Sequence, residues 1–394
     1  MFASYHCYHD PTNGAAVSTR DLLAALTRRG WKCGAFTGPV LDDATAMPIG
    51  SALRRHPDVR TNLGTAGAIG FAIHSVDDPG GFPVTVFAPD PPTAARAPSP
   101  EETAGFLTIL AEAIRRFRPA VLLTYGGDPA SRGARSLARR AGAKVAFRLH
   151  NFAYPDPTAF TDCDAITVPS AFSRDHHCTT LGLDCTVVPP VIEPSRILVD
   201  RPDRGRFVTF VNPEPNKGVF WFARMAEVLG RERPDIPLLI VEGRARADWL
   251  AGCGVDLRKV TSLHRLANTP DPRRFYQVTR LTLVPSVWCE SFGRVAAESM
   301  FNGIPVVASD RGALPEAIGS GGRCLPIPAH ITPETRTPPS AEEVAPWIEA
   351  VLALWDEPVR YASASAAAEA ASRAWHPEVV VPQWETFLTS LARY

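Results

Sequence analysis

The chain has 394 residues, 45% hydrophobic and 21% charged, which describes a globular protein and excludes a disordered one. Lysine plus arginine balance aspartate plus glutamate at 41 each, so no global field selects nucleic acid, and a polyanionic partner would need a local patch. The length allows two domains with a core each. Met1-Phe-Ala-Ser-Tyr-His6 lacks the basic flank and apolar core of a signal peptide, and no apolar run approaches the ~20 residues that span a bilayer, so a cytoplasmic location is expected.

Phe2–Cys7 reads as a first strand, Asp10–Gly14 as a turn, and Val17–Leu26 as a helix ending at Arg29-Gly30. Trp31–Phe36 returns as a strand. Gly14 marks either a tight turn or a close approach of backbone to a ligand. Residues 40–80 give no clear period beyond a short helix at Ser51–His56 and an apolar run from Gly67 to Val76. Phe82–Ala88 is a strand and Pro89–Pro100 a linking loop. Thr103–Phe117 is an amphipathic helix, with Phe106, Leu107, Leu110 and Ile114 on one face. Val121–Tyr125 is a buried strand followed by a basic helix to Arg140, whose Arg132, Arg135, Arg139 and Arg140 read as a solvated face. An acidic acceptor or an anionic membrane surface is the other reading of that helix. Val145–Leu149 is a strand ending at His150, which is either a core histidine bonded to backbone or a group facing a ligand. Asp164–Val168 and Thr186–Val188 complete the first half, and Glu193–Arg204 has linker composition.

The second half repeats the α/β plan. Phe207–Val211 is a strand, Asn212–Gly218 a loop and Val219–Leu229 a helix. Ile236–Val241 is a buried strand ending in Glu242-Gly243-Arg244, where a doubly wound domain recognises base or ribose. Thr269–Arg273 leads a short helix with Phe275 and Tyr276. Leu281–Val287 is a strand, a helix starts near Gly293 and stops at Asn302-Gly303, and Ile304–Ala308 is the next strand. Ser340 caps a further helix, and Ala362–Ala374 and Val379–Leu391 are the last two. The eight cysteines are scattered with no CxxC. Neither His6-Cys7-Tyr8-His9 nor His176-His177-Cys178 with Cys185 has paired zinc spacing, so neither a disulfide framework nor a metal is expected.

Within Leu281–Glu316 two acids stand out, Glu290 in the loop and Glu298 in the helix, about 10 Å apart at the helical rise. Between them lie the backbone N–H groups of Ser291, Phe292 and Gly293, an anion site with the helix dipole behind it. Hydroxyls at both ends of a ligand and phosphate in its middle match that order, as in a nucleotide-sugar. The bland alternative is a capped helix with one solvated acid.

Glu290-Ser-Phe-Gly-Arg-Val-Ala-Ala-Glu298, preceded by Pro285-Ser286 and followed by Asn302-Gly303-Ile-Pro305 and Gly312-Ala-Leu-Pro-Glu316, resembles a known signature. It is the E-x7-E motif of retaining GT-B glycosyltransferases, family 4 type, glycosyl transferases group 1. The resemblance implies two Rossmann-like doubly wound domains facing a central cleft. On this sequence they would be an acceptor domain at 1–190, a linker at 191–205, a nucleotide-sugar donor domain at 206–375, and a terminal helix at 376–394 crossing back to the first domain. It implies transfer of a hexosyl unit from a nucleotide-diphosphate sugar to an acceptor hydroxyl, with retention and without a metal or other cofactor. The acceptor would be a glycan, a lipid-linked or a small molecule, with no nucleic acid partner, and peripheral contact with the inner membrane face is compatible with it. Residue by residue, the resemblance places Glu290 on the sugar hydroxyls and Glu298 on the ribose. It places Lys217, Ser291, Phe292, Gly293 and Gly14 on the diphosphate, and His150 at the sugar. Asn212 stands where the family has an arginine, with Arg294 or Arg244 as replacements, and Ala15 replaces the second glycine of the Gly14 loop. Glu242 is assigned to the nucleotide. The rival readings are an epimerase or phosphorylase on the same fold and a non-catalytic nucleotide-sugar-binding module. A dinucleotide oxidoreductase is disfavoured because no G-x-G-x-x-G follows the first strand.

Overall fold

The computed structural model describes residues 1–43, 46–66, 69–90, 97–200, 204–251 and 253–393. In chain order the first elements are β1 (Phe2–His6), α1 (Gly14–Arg28), β2 (Ala35–Val40), α2 (Ile49–Leu53), β3 (Arg60–Ala66), β4 (Ile69–Asp77) and β5 (Pro83–Asp90). Then come α3 (Pro100–Phe117), β6 (Val121–Thr124), α4 (Pro129–Arg140), β7 (Lys144–Arg148), β8 (Ala165–Val168), α5 (Ala171–Leu181), β9 (Thr186–Val187) and α6 (Pro194–Ile197). The second series is β10 (Phe207–Val211), α7 (Val219–Glu232), β11 (Leu238–Val241), β12 (Leu263–Leu266), α8 (Arg273–Tyr276), β13 (Thr279–Val284), α9 (Arg294–Phe301) and β14 (Val306–Ser309). It closes with α10 (Leu314–Ile318), β15 (Gly322–Leu325), α11 (Ala341–Asp356), α12 (Pro358–Ser372) and α13 (Pro377–Arg393).

These fold into two compact units, one of residues 1–169, 174–192 and 377–394, the other of 170–173 and 193–376. The first holds a sheet in the order β3-β4-β5-β2-β1-β6-β7-β8-β9. It is parallel from β5 through β9, with β3 and β4 added antiparallel at one edge. Residues 40–80 show no clear period in sequence for a structural reason. Within them Arg60–Ala66 and Ile69–Asp77 pair antiparallel and extend the sheet, and β3 is an edge strand with Leu63 77% exposed, so it lacks a buried face to print an alternation. Gly67, at the start of the expected apolar run, lies outside the described residues, as do 91–96 of the expected Pro89–Pro100 loop and 201–203 of the linker.

Two local expectations are corrected. The second strand is Ala35–Val40, and Trp31 precedes it, held by its indole N–H donating to Glu385 of α13 at 3.0 Å. The basic helix is not uniformly solvated. Arg132, Arg139 and Arg140 are exposed, but Arg135 is 1% exposed, lies 3.1 Å from Asp162 and stacks on Phe147. Four arginines on a polar helix looked alike in sequence, and only the sheet beneath α4 separates the buried one from the rest. Helix α13 packs on the first unit through Val380, Val381, Trp384 and Leu388, with the Trp384 indole donating to the Pro189 carbonyl at 2.9 Å.

The second unit is a parallel sheet in the order β12-β11-β10-β13-β14-β15. Counted within the unit this is 3-2-1-4-5-6, the doubly wound order whose direction reverses between the first and fourth strands. Its strands are short and apolar, as strands covered on both faces must be: Val208, Phe210, Leu238, Ile240, Leu281, Leu283 and Val307 are all buried. The loops that leave β10 and β13 therefore open side by side at the carboxyl ends of the strands, at the switch point.

Candidate active site

The β10 loop bears Asn212 and Lys217; the β13 loop bears Ser286, Glu290 and Gly293. Lys217 Nζ donates to Glu290 Oε1 at 2.7 Å, and Ser286 Oγ donates to the same oxygen at 2.6 Å. Glu290 is 8% exposed. Burial pushes its carboxyl up, but the Lys217 charge and the hydrogen bonds outweigh that and hold it below the usual carboxylate range. Lys217 also lies over the Trp288 ring at 4.8 Å. Lysine and glutamate, assigned from sequence to two parts of a ligand, thus meet directly across 73 residues of chain.

Three glycines make that meeting geometrically possible. Gly218 has φ +85°, and a Cβ there would lie 1.9 Å from the Pro285 carbonyl oxygen. Gly312 has φ +66°, with the Glu290 backbone 2.3 Å from any added Cβ, and Ala313 N–H donates to Glu290 O at 2.8 Å. Gly293, φ +106°, caps α9, whose first-turn N–H groups have no acceptor within the helix. The Phe292 side chain is pinned edge-on against Trp375 at 5.0 Å, which fixes the backbone of Ser291–Gly293.

Glu298 sits one turn into α9. Its Oε2 accepts from Tyr276 Oη at 2.9 Å and its Oε1 from Arg294 Nε at 2.9 Å. Burial and the adjacent carboxylate drive the Tyr276 hydroxyl well above its ordinary value, so it remains a donor to Glu298. Both sequence-nominated replacements for the absent arginine are committed elsewhere: Arg294 to Glu298, and Arg244 to Glu214 through bonds of 2.6 and 2.8 Å. Asn212 adopts φ +61°, uncommon for a residue with a side chain, and its Oδ1 accepts the Ala245 N–H at 3.0 Å. It clips the β10 and β11 loops together. Glu242 accepts the Ala247 N–H at 2.9 Å and tethers the same loop.

Sequence reasoning gave Ser286 and Gly312 only as flanks of the signature, without a role, and missed Tyr276. Tyr276 gave no signal beyond an aromatic pair, whereas Arg294 to Glu298 is an i,i+4 pair on a helix and could have been read as such.

In the first unit, Gly14 opens α1 behind the cap Asn13, whose Oδ1 accepts the Ala16 N–H at 2.9 Å. No atom lies within 4 Å of a Cβ added at Gly14, and its backbone is outside the left-handed region. The tight-turn reading is therefore removed: neither conformation nor packing needs glycine there. Gly14→Ala should leave the melting temperature unchanged within about 0.5 kcal/mol of stability. A large loss of activity in that folded variant would show that a ligand passes over the residue, and full activity would remove Gly14 from the site. His150 follows β7, half-buried, with its ring edge-on to Tyr125 at 5.9 Å.

Two further histidines are held neutral. Burial, aided by Arg20 and His56, lowers His9 to about 4, and burial with His176 lowers His177, stacked on Phe152 at 5.2 Å, to about 4. A lowered folded pKa means the unfolded chain takes the proton first. Stability should therefore fall as pH drops from about 6.5 to 4, by about 2–3 kcal/mol per histidine, and stay flat above 6.5. Urea unfolding between pH 7.5 and 4.5 reads the slope, which His177→Phe should reduce by about half. An unchanged slope in that variant would refute the assignment.

Comparison with known proteins agrees with the second-unit geometry. Residues 205–350 match the family described as Glycosyl transferases group 1. That segment belongs to this family. The D-inositol 3-phosphate glycosyltransferase of Arthrobacter sp. (strain FB24) is 29% identical over 187 residues, 45% of this chain and 41% of that protein. The Thermobifida fusca protein of the same name is 35% identical over 116 residues, 27% of this chain and 26% of its own. The matched stretch thus spans well under half of these relatives. Among solved structures, Anabaena HepE in complex with UDP-glucose superposes with a TM-score of 0.68 at 16% identity, covering 99% of this chain and 98% of that one. The sucrose-phosphate synthase of Thermosynechococcus elongatus gives 0.65 at 15% identity, covering 99% and 98%. The fold of the chain is accordingly GT-B, with a Rossmann-like sheet in each unit. Among the described residues no helix is long and apolar enough to cross a membrane.

Proposed function

We propose that the protein is a retaining glycosyltransferase that moves a hexosyl unit from a nucleoside-diphosphate sugar to an acceptor hydroxyl. The observation that carries this reading is the Lys217–Glu290 pair at the switch point, beside the amino end of α9. As the bond from anomeric carbon to phosphate stretches, negative charge grows on the diphosphate. Fixed positive groups aimed at it lower the barrier, and Lys217 with the N–H groups of Ser291, Phe292 and Gly293 supply them. Glu290, held ionised, acts as an acceptor for sugar hydroxyls and a counter-charge to the oxocarbenium-like ring, not as a proton donor. Glu298, oriented by Tyr276 and Arg294, receives the ribose hydroxyls, and Glu242 lies toward the nucleotide. Attack on the face the diphosphate leaves retains configuration, with the leaving oxygen taking the acceptor's proton. Asn212 shapes the β10 loop in place of the family's arginine, so Lys217 is the principal side-chain cation for the diphosphate. His150 and Gly14 belong to the sugar and phosphate end of the ligand.

Because the similarly folded HepE was solved with UDP-glucose, a uridine-diphosphate hexose is the first donor to try. The test is calorimetric binding and hydrolysis of UDP-, GDP-, ADP- and dTDP-sugars in EDTA, on wild type and on Glu298→Gln, which keeps an acceptor for Tyr276. One nucleotide should be selected, and the variant should bind it at least tenfold more weakly while retaining the wild-type melting temperature. Absence of binding to every donor, with and without added magnesium, would refute the assignment.

A further inference from the structure

The second unit contains a cavity of about 210 Å³ at the amino ends of β14 and β15, the end of the sheet opposite Lys217 and Glu290. Its walls are Val306 of β14, Ala353 and Leu354 of α11, and Ala364 of α12, with Arg323 of β15 and Arg360 of α12 also lining it. The space exists because α11 and α12 present alanines over an edge strand and so leave a gap that larger side chains would have closed. Collapse inward is blocked, since α12 already sits hard on Gly321, where an added Cβ would lie 2.7 Å from Ala371 and from Met300 Cε. Arg360 pairs with Glu357 at 3.2 Å. Arg323 is exposed, and among the described residues no carboxylate pairs with it. Two guanidinium groups against one carboxylate leave the mouth with one net positive charge.

An apolar slot with a cation at its mouth is complementary to an amphiphilic anion. Apart from the two arginines, Ser320 is the one polar residue of the lining, too few for a sugar, and the lining has no aromatic face for a base. A cavity of 150 Å³ lined by aliphatic side chains already accepts benzene, while drug-sized ligands take 300 Å³ or more. The volume here fits one thin chain. We propose that this cavity binds a free fatty acid, with the carboxylate on Arg323 and the chain running between α11 and α12 past Leu354 and Ala364. The site is separate from the proposed donor site and does not depend on it.

Calorimetry on the full chain with hexanoate, octanoate, decanoate, decanol and decyltrimethylammonium tests this. The expected result is one site per chain, affinity rising about fourfold per added methylene, decanol at least tenfold weaker than decanoate, and no binding of the cation. Arg323→Glu, an exposed change, should weaken decanoate at least tenfold and leave decanol unaffected. Ala353→Phe, checked by its melting temperature, should remove both. Equal affinity for decanoate and decanol, an indifferent Arg323→Glu, or no heat up to millimolar ligand overturns the proposal. So does binding to phosphatidylglycerol vesicles that Arg323→Glu abolishes while free decanoate fails to bind, since that would assign the site to a bilayer.

Discussion

Lys217→Ala should lower kcat/KM for sugar transfer by about 10²–10³-fold, the range for removing a preorganised donor to a developing anion. It should also destabilise the second unit by about 3–5 kcal/mol, because it strands a carboxylate that is 8% exposed. The two effects have separate signatures. In the wild type the depressed Glu290 contributes stability that is present above its unfolded value of about 4.5 and lost as pH falls through the lower folded value. In Lys217→Ala burial and the hydrogen bonds from Ser286 and Trp288 remain, and burial, the largest influence, raises the carboxyl. The sign then reverses: the variant should gain stability, relative to wild type, as pH falls toward 5. Adding Glu290→Gln removes the stranded charge and should restore most of the stability at pH 7.5 while activity remains low. Denaturant midpoints at two pH values, with steady-state rates on the three proteins, measure all of this. A Lys217→Ala protein as stable as wild type at neutral pH would mean that the pair is solvated in solution.

What could be read from the chain follows from how local each signal is. Strands β10, β11, β13 and β14 are buried on both faces and so read as short apolar runs, and α9 announces its end through Asn302-Gly303, where Gly303 takes φ +60°. The E-x7-E segment is contiguous, so its two acids could be named. Partnerships were not legible in the same way. Glu290 meets Lys217 across 73 residues, and Glu298 meets Tyr276 across 22, through a sheet order no local pattern encodes. Arg244 and Arg294 looked like spare cations because charge is visible in sequence while commitment to Glu214 and Glu298 is not. The pair β3–β4 failed for a different reason: an edge pairing satisfies backbone groups without requiring an alternating apolar face. Gly14 and Gly218 both stand at the amino end of a helix that follows a strand, yet the first has open space and the second is in contact with another loop.

That contrast sets the second large expectation. Gly218→Ala should cost more than 3 kcal/mol and lose measurable donor binding even under conditions where the protein remains folded. Two penalties add. The left-handed conformation costs about 1–2 kcal/mol for a residue with a Cβ. The new methyl would also stand 1.9 Å from the Pro285 carbonyl oxygen, a separation that only backbone movement relieves. Movement is the functional consequence, because Gly218 follows Lys217 directly and Pro285 precedes Ser286, both of which donate to Glu290. Separating the loops by even 1 Å lengthens the bonds that hold the carboxylate. The Val287 N–H to Asn216 carbonyl bond, 3.0 Å between the same two loops, would be strained with them. Amide exchange at Val287 provides a local readout: it should accelerate in Gly218→Ala far more than exchange in β11, away from the contact. Uniform acceleration across the sheet would instead indicate global destabilisation, and unchanged donor affinity in a folded Gly218→Ala protein would show that the two loops are not coupled through this contact.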